Sequence, residues 1–289
     1  MIKACVHLMT WTSTIDKKTP QLFPKIKEMG YDGVEVPFVN PFEMDASLID
    51  IYRKEFEKNH LECVCGAGMG KSNNLIDEDP SISQKGIDFL KRSIEVCSDL
   101  GSKMVCGVLY GTFEMSKGRG RTQAEWDRAV ELIQKMADYA AKKDVTLNLE
   151  VLNRYETYFL NTAEDGMKLV KDINKKNVKL HLDTYHMNIE EKNFYDPIVC
   201  CGLSLGYLHC SENDRGVVGT GHINWDEIFK GLTRIHYNGW IGTETFYAPI
   251  DFIPVASSVW RKLANDLDDV PKNGLIYLRK KIQEYGLNS

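Results

Sequence analysis

The fold class the sequence predicts is α/β, a closed barrel of eight parallel strands. Three observations predict it. Short runs rich in Val, Ile and Leu recur eight times, longer stretches of helical periodicity separate them, and all of this fits within 289 residues. A doubly wound open sheet needs fewer strands than that. No low-complexity stretch or linker divides the chain, so residues 1–289 are expected to form one domain.

The expected strands lie near 4–9 (ACVHLM), 33–38 (GVEVPF), 62–68 (ECVCGAG), 104–110 (MVCGVLY), 146–152 (TLNLEVL), 178–184 (VKLHLDT), 205–211 (LGYLHCS) and 239–246 (GWIGTETF). Amphipathic stretches at 20–29, 83–100, 122–143 and 162–174 supply helices between them. Gly30 and Gly101 stand just past helix ends, while Thr162 and Asn224 suit helix N-caps. The helix between strands six and seven is weakly marked. A last helix near 273–285 follows the eighth unit and is expected to pack outside the barrel.

Composition narrows the function classes. Apolar residues make up 43% of the chain and the net charge is −5. Nucleic acid and anionic membranes both want a basic face, so neither is an expected partner. No basic-then-apolar leader opens the chain and no apolar run nears 18 residues, which points to the cytoplasm. The eight cysteines form no C-x-x-C pair and mostly sit inside apolar runs, as reduced, buried small residues do. The run CGAGMGKS at 65–72 ends like a phosphate-binding loop, but Cys65 holds the position where that motif needs glycine. It reads better as the end of strand three.

The informative residues are charged ones in strands. In LNLEVLNRYE (147–156), Glu150 interrupts an apolar run that a barrel strand should carry to its end. A buried, uncompensated charge costs several kcal/mol, so something must pair with it. If Leu147, Leu149 and Val151 face the helices, Asn148 and Glu150 face the barrel interior. By the same alternation Asp183, His209 and Glu244 point inward, each near the carboxyl end of its strand. Barrel active sites are built at that end.

Three carboxylates in a partly dehydrated pocket would raise one another's pKa until some were protonated. A divalent cation removes the conflict. Three oxygen donors and one imidazole suit a hard or borderline ion such as Mn²⁺, Co²⁺ or Mg²⁺; zinc usually recruits more His or Cys. Glu156, His186 and Arg215 follow these strand ends in sequence and resemble a ring of donors and acceptors for a polyol. His181 reads as structural, and His60, His222 and His236 as helix-end or loop residues.

The stretches EVLNRYE, LDTYHMNIEE and HCSENDRG, followed by GTGHINWDEI and TETF, resemble the ketose 3-epimerases that act on D-tagatose and D-psicose (allulose). The resemblance runs from Trp11 to VWRKLA at 259–264. It implies metal ligation by Glu150, Asp183, His209 and Glu244, and binding of the substrate's O1–O3 end by Glu156, His186 and Arg215. It also implies a homodimer or homotetramer, for which Tyr247 and Phe252 are candidate contact residues. Inverting C3 of a ketose removes the proton α to the C2 carbonyl and returns one from the opposite face. That calls for two bases, and Glu150 and Glu244 fill the role. The chain departs from the family at His7, where an aromatic Tyr or Phe is expected, at Phe113, where Trp-Pro is common, and across 245–251. These positions leave the preferred ketose open. An aldose–ketose isomerase on the same barrel and a non-catalytic sugar-binding barrel are the rival readings.

Overall fold

A computed structural model describes residues 1–113, 117–246 and 259–287. Eight strands close into a barrel in chain order: β1 (Lys3–His7), β2 (Gly33–Phe38), β3 (Glu62–Ala67), β4 (Met104–Gly107), β5 (Thr146–Glu150), β6 (Val178–Asp183), β7 (Leu205–Cys210) and β8 (Trp240–Thr243). Every neighbouring pair is parallel, and β8 returns to β1 through Lys3 opposite Trp240. Closure leaves no free sheet edge.

The alternation expected of barrel strands is visible as two separate apolar clusters. One forms between strands and helices and includes Val34, Val36, Leu147, Leu149, Leu180, Leu182, Leu208 and Ile241. The other fills the barrel interior with Cys5, Val64, Cys106 and Tyr207. Odd and even positions of the strands therefore belong to different cores.

The helices are α1 (Phe23–Glu28), α2 (Ala46–Lys58), α3 (Pro80–Asp99), α4 (Gln123–Ala141), α5 (Ala163–Ile173), α6 (Thr184–Glu190), α7 (Tyr195–Cys201), α8 (Trp225–Arg234) and α9 (Asp269–Glu284). Local chemistry explains their ends. Thr162 accepts a hydrogen bond from the Asp165 amide at 3.2 Å and Asn224 one from Glu227 at 3.3 Å, as N-caps do. In α4 the buried residues Trp126, Ala129, Ile133, Met136 and Ala140 recur at helical spacing. Gly30 and Gly101 take φ of +97° and +77° just past their helices, where a Cβ would be strained.

Some boundaries differ from expectation. β1, β4, β5 and β8 stop two to three residues early because the residues beyond turn into loops over the mouth. The weakly marked segment after β6 is two short helices, α6 and α7, not one. α9 begins at Asp269, one turn before the expected start. The eight cysteines are free thiols and six of them are buried, in keeping with their apolar neighbours. Among the described residues no helix is long and apolar enough to cross a membrane.

Candidate active site

The expected inward residues meet at the carboxyl ends of their strands. Glu150 ends β5, Asp183 ends β6, His209 is the penultimate residue of β7, and Glu244 follows β8 by one residue. Asp183, His209 and Glu244 offer ligand atoms that all lie within 4.8 Å of one another. Glu150 makes a similar group with Asp183 and His186, and a third with His181 and His209. The floor is thus one continuous cluster of carboxylates and imidazoles.

Its electrostatics are settled by a cation from the protein itself. Arg215 places Nη1 2.7 Å from Asp183 Oδ2 and 2.6 Å from Glu244 Oε2, with Ser211 Oγ at 2.8 Å. Its guanidinium lies over the ring of Tyr185, 3.9 Å from the centroid. Its backbone sits at φ +63°, a left-handed conformation costing an L-residue about 1–2 kcal/mol. The surrounding bonds hold it there. The sequence places Arg215 among the substrate-binding groups; in the structure it lies between two of the expected metal ligands. Asp183 is fully buried beneath it and accepts the Tyr185 amide at 2.8 Å, capping α6.

The two glutamates of the mouth are driven in opposite directions. Burial, with the nearby Glu244 and Asp183 charges, pushes Glu150 well above the usual carboxylate range. Burial also acts on Glu244, but His209 and Arg215 outweigh it and hold that carboxyl well below the range. His209, though buried, is held well above the ordinary histidine value by Glu35 and Glu244. Burial lowers His186 and His181, keeping both rings neutral.

His186 begins the upper tier. Asn153 Nδ2 lies 2.8 Å from its Nδ1, so Nδ1 accepts and the ring proton belongs on Nε2. That nitrogen faces Glu150 and Asp183, 3.8 Å from each. Asn153 also donates to Glu156 Oε1 at 2.9 Å, tying the loop after β5 to α6. His181 packs edge-on against His209 with centroids 4.2 Å apart, and neither of its ring nitrogens has a hydrogen-bond partner.

Two residues of this site have no counterpart in the sequence reading. Asn153 gives no signal beyond lying in a loop. Glu35 does give one: it sits at an inward position of β2, the same anomaly as Glu150 on β5. It is buried, bonded to His209 Nε2 at 2.7 Å and to the Tyr207 hydroxyl at 2.6 Å. The imidazoles of His209 and His7 outweigh burial and hold its carboxyl down, at about 2.

Above the floor opens a cavity of about 620 Å³. Glu35, Glu150, Glu156, His186, Arg215 and Glu244 line its base, and Met9, Phe38, Val39, Phe42 and Phe246 its upper wall. His7 and Phe113, both departures from the expected pattern, also line it. Of the segment 245–251, Thr245 and Phe246 are described; Tyr247, like the contact candidate Phe252, lies outside the described residues.

The donor set fits a divalent cation. His209 Nδ1 is buried with no hydrogen-bond partner, 3.5 Å from Glu244 Oε2. Asp183 and Glu244 form one possible ligand group with the His209 ring and Glu150 belongs to a second, and oxygen donors with one imidazole suit hard or borderline ions.

A cluster of acids and imidazoles at the carboxyl-end mouth of a parallel barrel marks an enzyme active site, and comparison with known proteins gives its class. Residues 23–281 match the family described as xylose isomerase-like TIM barrel. The L-ribulose 3-epimerase of Methylomonas sp. (strain DH-1) is 34% identical over 87% of each chain. The D-psicose 3-epimerase of Agrobacterium fabrum is 33% identical over 96% of this chain and 98% of its own. The crystal structure of D-allulose 3-epimerase from Methylomonas sp. in complex with D-allulose superposes with a TM-score of 0.92 at 30% identity, covering 97% of both chains. The chain belongs to the xylose isomerase-like TIM-barrel family, in its ketose 3-epimerase branch, and is an enzyme of the isomerase class.

Proposed function

We propose that this enzyme inverts C3 of free ketoses, of the D-fructose/D-psicose and D-tagatose/D-sorbose type, with one divalent cation held by Glu150, Asp183, His209 and Glu244. The observation that carries this reading is the pair Glu150 and Glu244. They come from strands three places apart around the wall and line one cavity, so their carboxyl groups reach its contents from two sides. Two carboxyl groups placed in this way can serve as the acid and the base of one proton exchange.

The bound cation supplies Lewis acidity that offsets negative charge developing on the sugar's O2 and O3. The protein's residues do the rest. One of the two glutamates takes the C3 proton from one face of the C2–C3 plane with an oxygen left free by the cation, and the other returns a proton from the opposite face. The reverse reaction exchanges their roles, as epimerisation requires. His186 presents its Nε2 proton toward the sugar's oxygens, and Arg215 offers its remaining guanidinium protons beside it. Glu156, oriented by Asn153, accepts from a hydroxyl near C1. The largely apolar upper wall encloses the far end of the sugar. The relatives' activities on psicose, allulose and ribulose support the C3 assignment.

The test is to strip the protein with a chelator and restore Mn²⁺, Co²⁺ or Mg²⁺ singly. Each form is then incubated with D-fructose, D-tagatose and D-psicose in D₂O. NMR should show inverted C3 carrying deuterium, with Mn²⁺ restoring the highest rate. Aldose formation, or turnover without any cation, would refute the reading.

A further inference from the structure

We propose that Glu35 is a positioning residue that fixes the proton of His209 on Nε2 and so turns Nδ1 toward the cation; this rests on the metal reading above. Glu35 lies on β2, almost fully buried, at the base of the same cavity. Its Oε2 meets His209 Nε2 at 2.7 Å and the Tyr207 hydroxyl at 2.6 Å. Its Oε1 lies 3.4 Å from Cys106 Sγ and 3.9 Å from His7 Nε2. Among the described residues no lysine or arginine pairs with it; imidazoles and a phenol surround the charge.

The chemistry of that contact is one-sided. An ionised carboxylate can only accept, so the nitrogen it touches must carry a proton. With Nε2 so occupied, His209 has Nδ1 alone for a metal, and Nδ1 is the buried atom without a hydrogen-bond partner. Histidine ligands are commonly held by a carboxylate on the second nitrogen, which sets both tautomer and ring orientation.

The backbone makes room for this arrangement at two places. A Cβ at Gly66 on β3 would come within 2.7 Å of Glu35 Oε1. One at Gly242 on β8 would overlap the Tyr207 hydroxyl and approach the His209 ring at 2.8 Å. Four strands thus shape one buried trio of Glu35, Tyr207 and His209.

The experiment compares wild type with Glu35→Gln and Tyr207→Phe. Mn²⁺ affinity of the chelator-stripped proteins is measured by calorimetry. The His209 side chain is followed by ¹H–¹⁵N NMR, metal-free and Mg²⁺-loaded. Glutamine keeps the volume and can still accept a hydrogen bond, but it loses the charge and gains a donor. Mn²⁺ binding should weaken by about 10- to 100-fold in Glu35→Gln and by less than about 3-fold in Tyr207→Phe, which keeps the carboxylate on the ring. The wild type should show a protected Nε2 proton in both states. Unchanged Mn²⁺ affinity in Glu35→Gln, or an unprotonated Nε2 in the wild type, overturns the assignment. A wild type that binds no cation overturns the metal reading instead, and the Nε2 proton then decides Glu35 by itself.

Discussion

Glu150 and Glu244 differ less in chemistry than in neighbours. One faces two other acids across a desolvated floor, while the other has His209 and Arg215 beside it. The proposed two-base scheme needs both, since each serves there as base in one direction. Glu150→Gln and Glu244→Gln should therefore each reduce C3 inversion by about 10²- to 10⁴-fold. Solvent deuterium entry at C3 should fall in step, read by NMR on protein whose metal content is assayed. A variant that kept its cation and most of its activity would defeat the two-carboxylate scheme. Arg215 makes a separate case. In the metal-free protein it is the positive charge between Asp183 and Glu244. Removing one partner of a buried ion pair costs about 3–5 kcal/mol. Arg215→Gln should lose roughly that amount in urea denaturation of stripped protein, and added Mn²⁺ should restore much of it. No restoration by Mn²⁺ would mean the cluster does not take the ion.

Helix α4 offers a test at the scale of an element. Glu125 is its N3 residue and forms a capping box with Thr122, yet its side chain is fully buried. Lys117 and Arg119 each reach it at 2.9 Å, and Tyr158 at 3.0 Å. Burial works against its charge, but Arg119, the Thr122 amide and Lys117 outweigh it and hold the carboxyl far below its ordinary 4.5. The sign follows: with the folded pKa depressed, its stabilisation is present above pH 4.5 and lost as pH falls toward the folded value. Glu125→Gln should cost about 2–3 kcal/mol at pH 7 and progressively less below pH 4.5, measured by chemical denaturation across that range. A pH-independent difference would show that the charge is not what matters. Elements were also where the sequence was most legible. Period-two alternation places Glu150, Asp183, His209 and Glu244 on the inward face without any knowledge of neighbours. It places Glu35 there too, but with no sequence neighbour to suggest a role, the signal passes unread. The ends of β4 and β8 were misjudged for a different reason: apolar residues continue past the last ladder bond, into loops that line the cavity.

For the whole molecule, the proposed cation site links binding to folding. The proposed ligands come from β5, β6 and β7 and from the end of β8 and assemble only when the barrel is closed, so an ion bound there favours the folded state. At a hundredfold excess over Kd the gain is about 2.7 kcal/mol. Chelator-stripped protein should accordingly unfold at lower temperature than Mn²⁺-loaded protein, and Glu244→Gln should shrink that difference. A melting temperature indifferent to Mn²⁺ at saturating levels would argue against a site spanning these strands.

From its own order of residues this chain determines eight strands, their inward and outward faces, and the acids and histidine that reach the mouth, because side-chain alternation is a local property of extended backbone. The pairing of those groups is decided only by closure. Glu35 and His209 stand 174 positions apart and meet at 2.7 Å because β2 and β7 curve around the same interior. Likewise Arg215 bridges Asp183 and Glu244 because their strands converge, and Asn153 orients His186 because the loop after β5 folds onto α6. Such contacts depend on distances through space, which a linear pattern of polar and apolar residues does not encode.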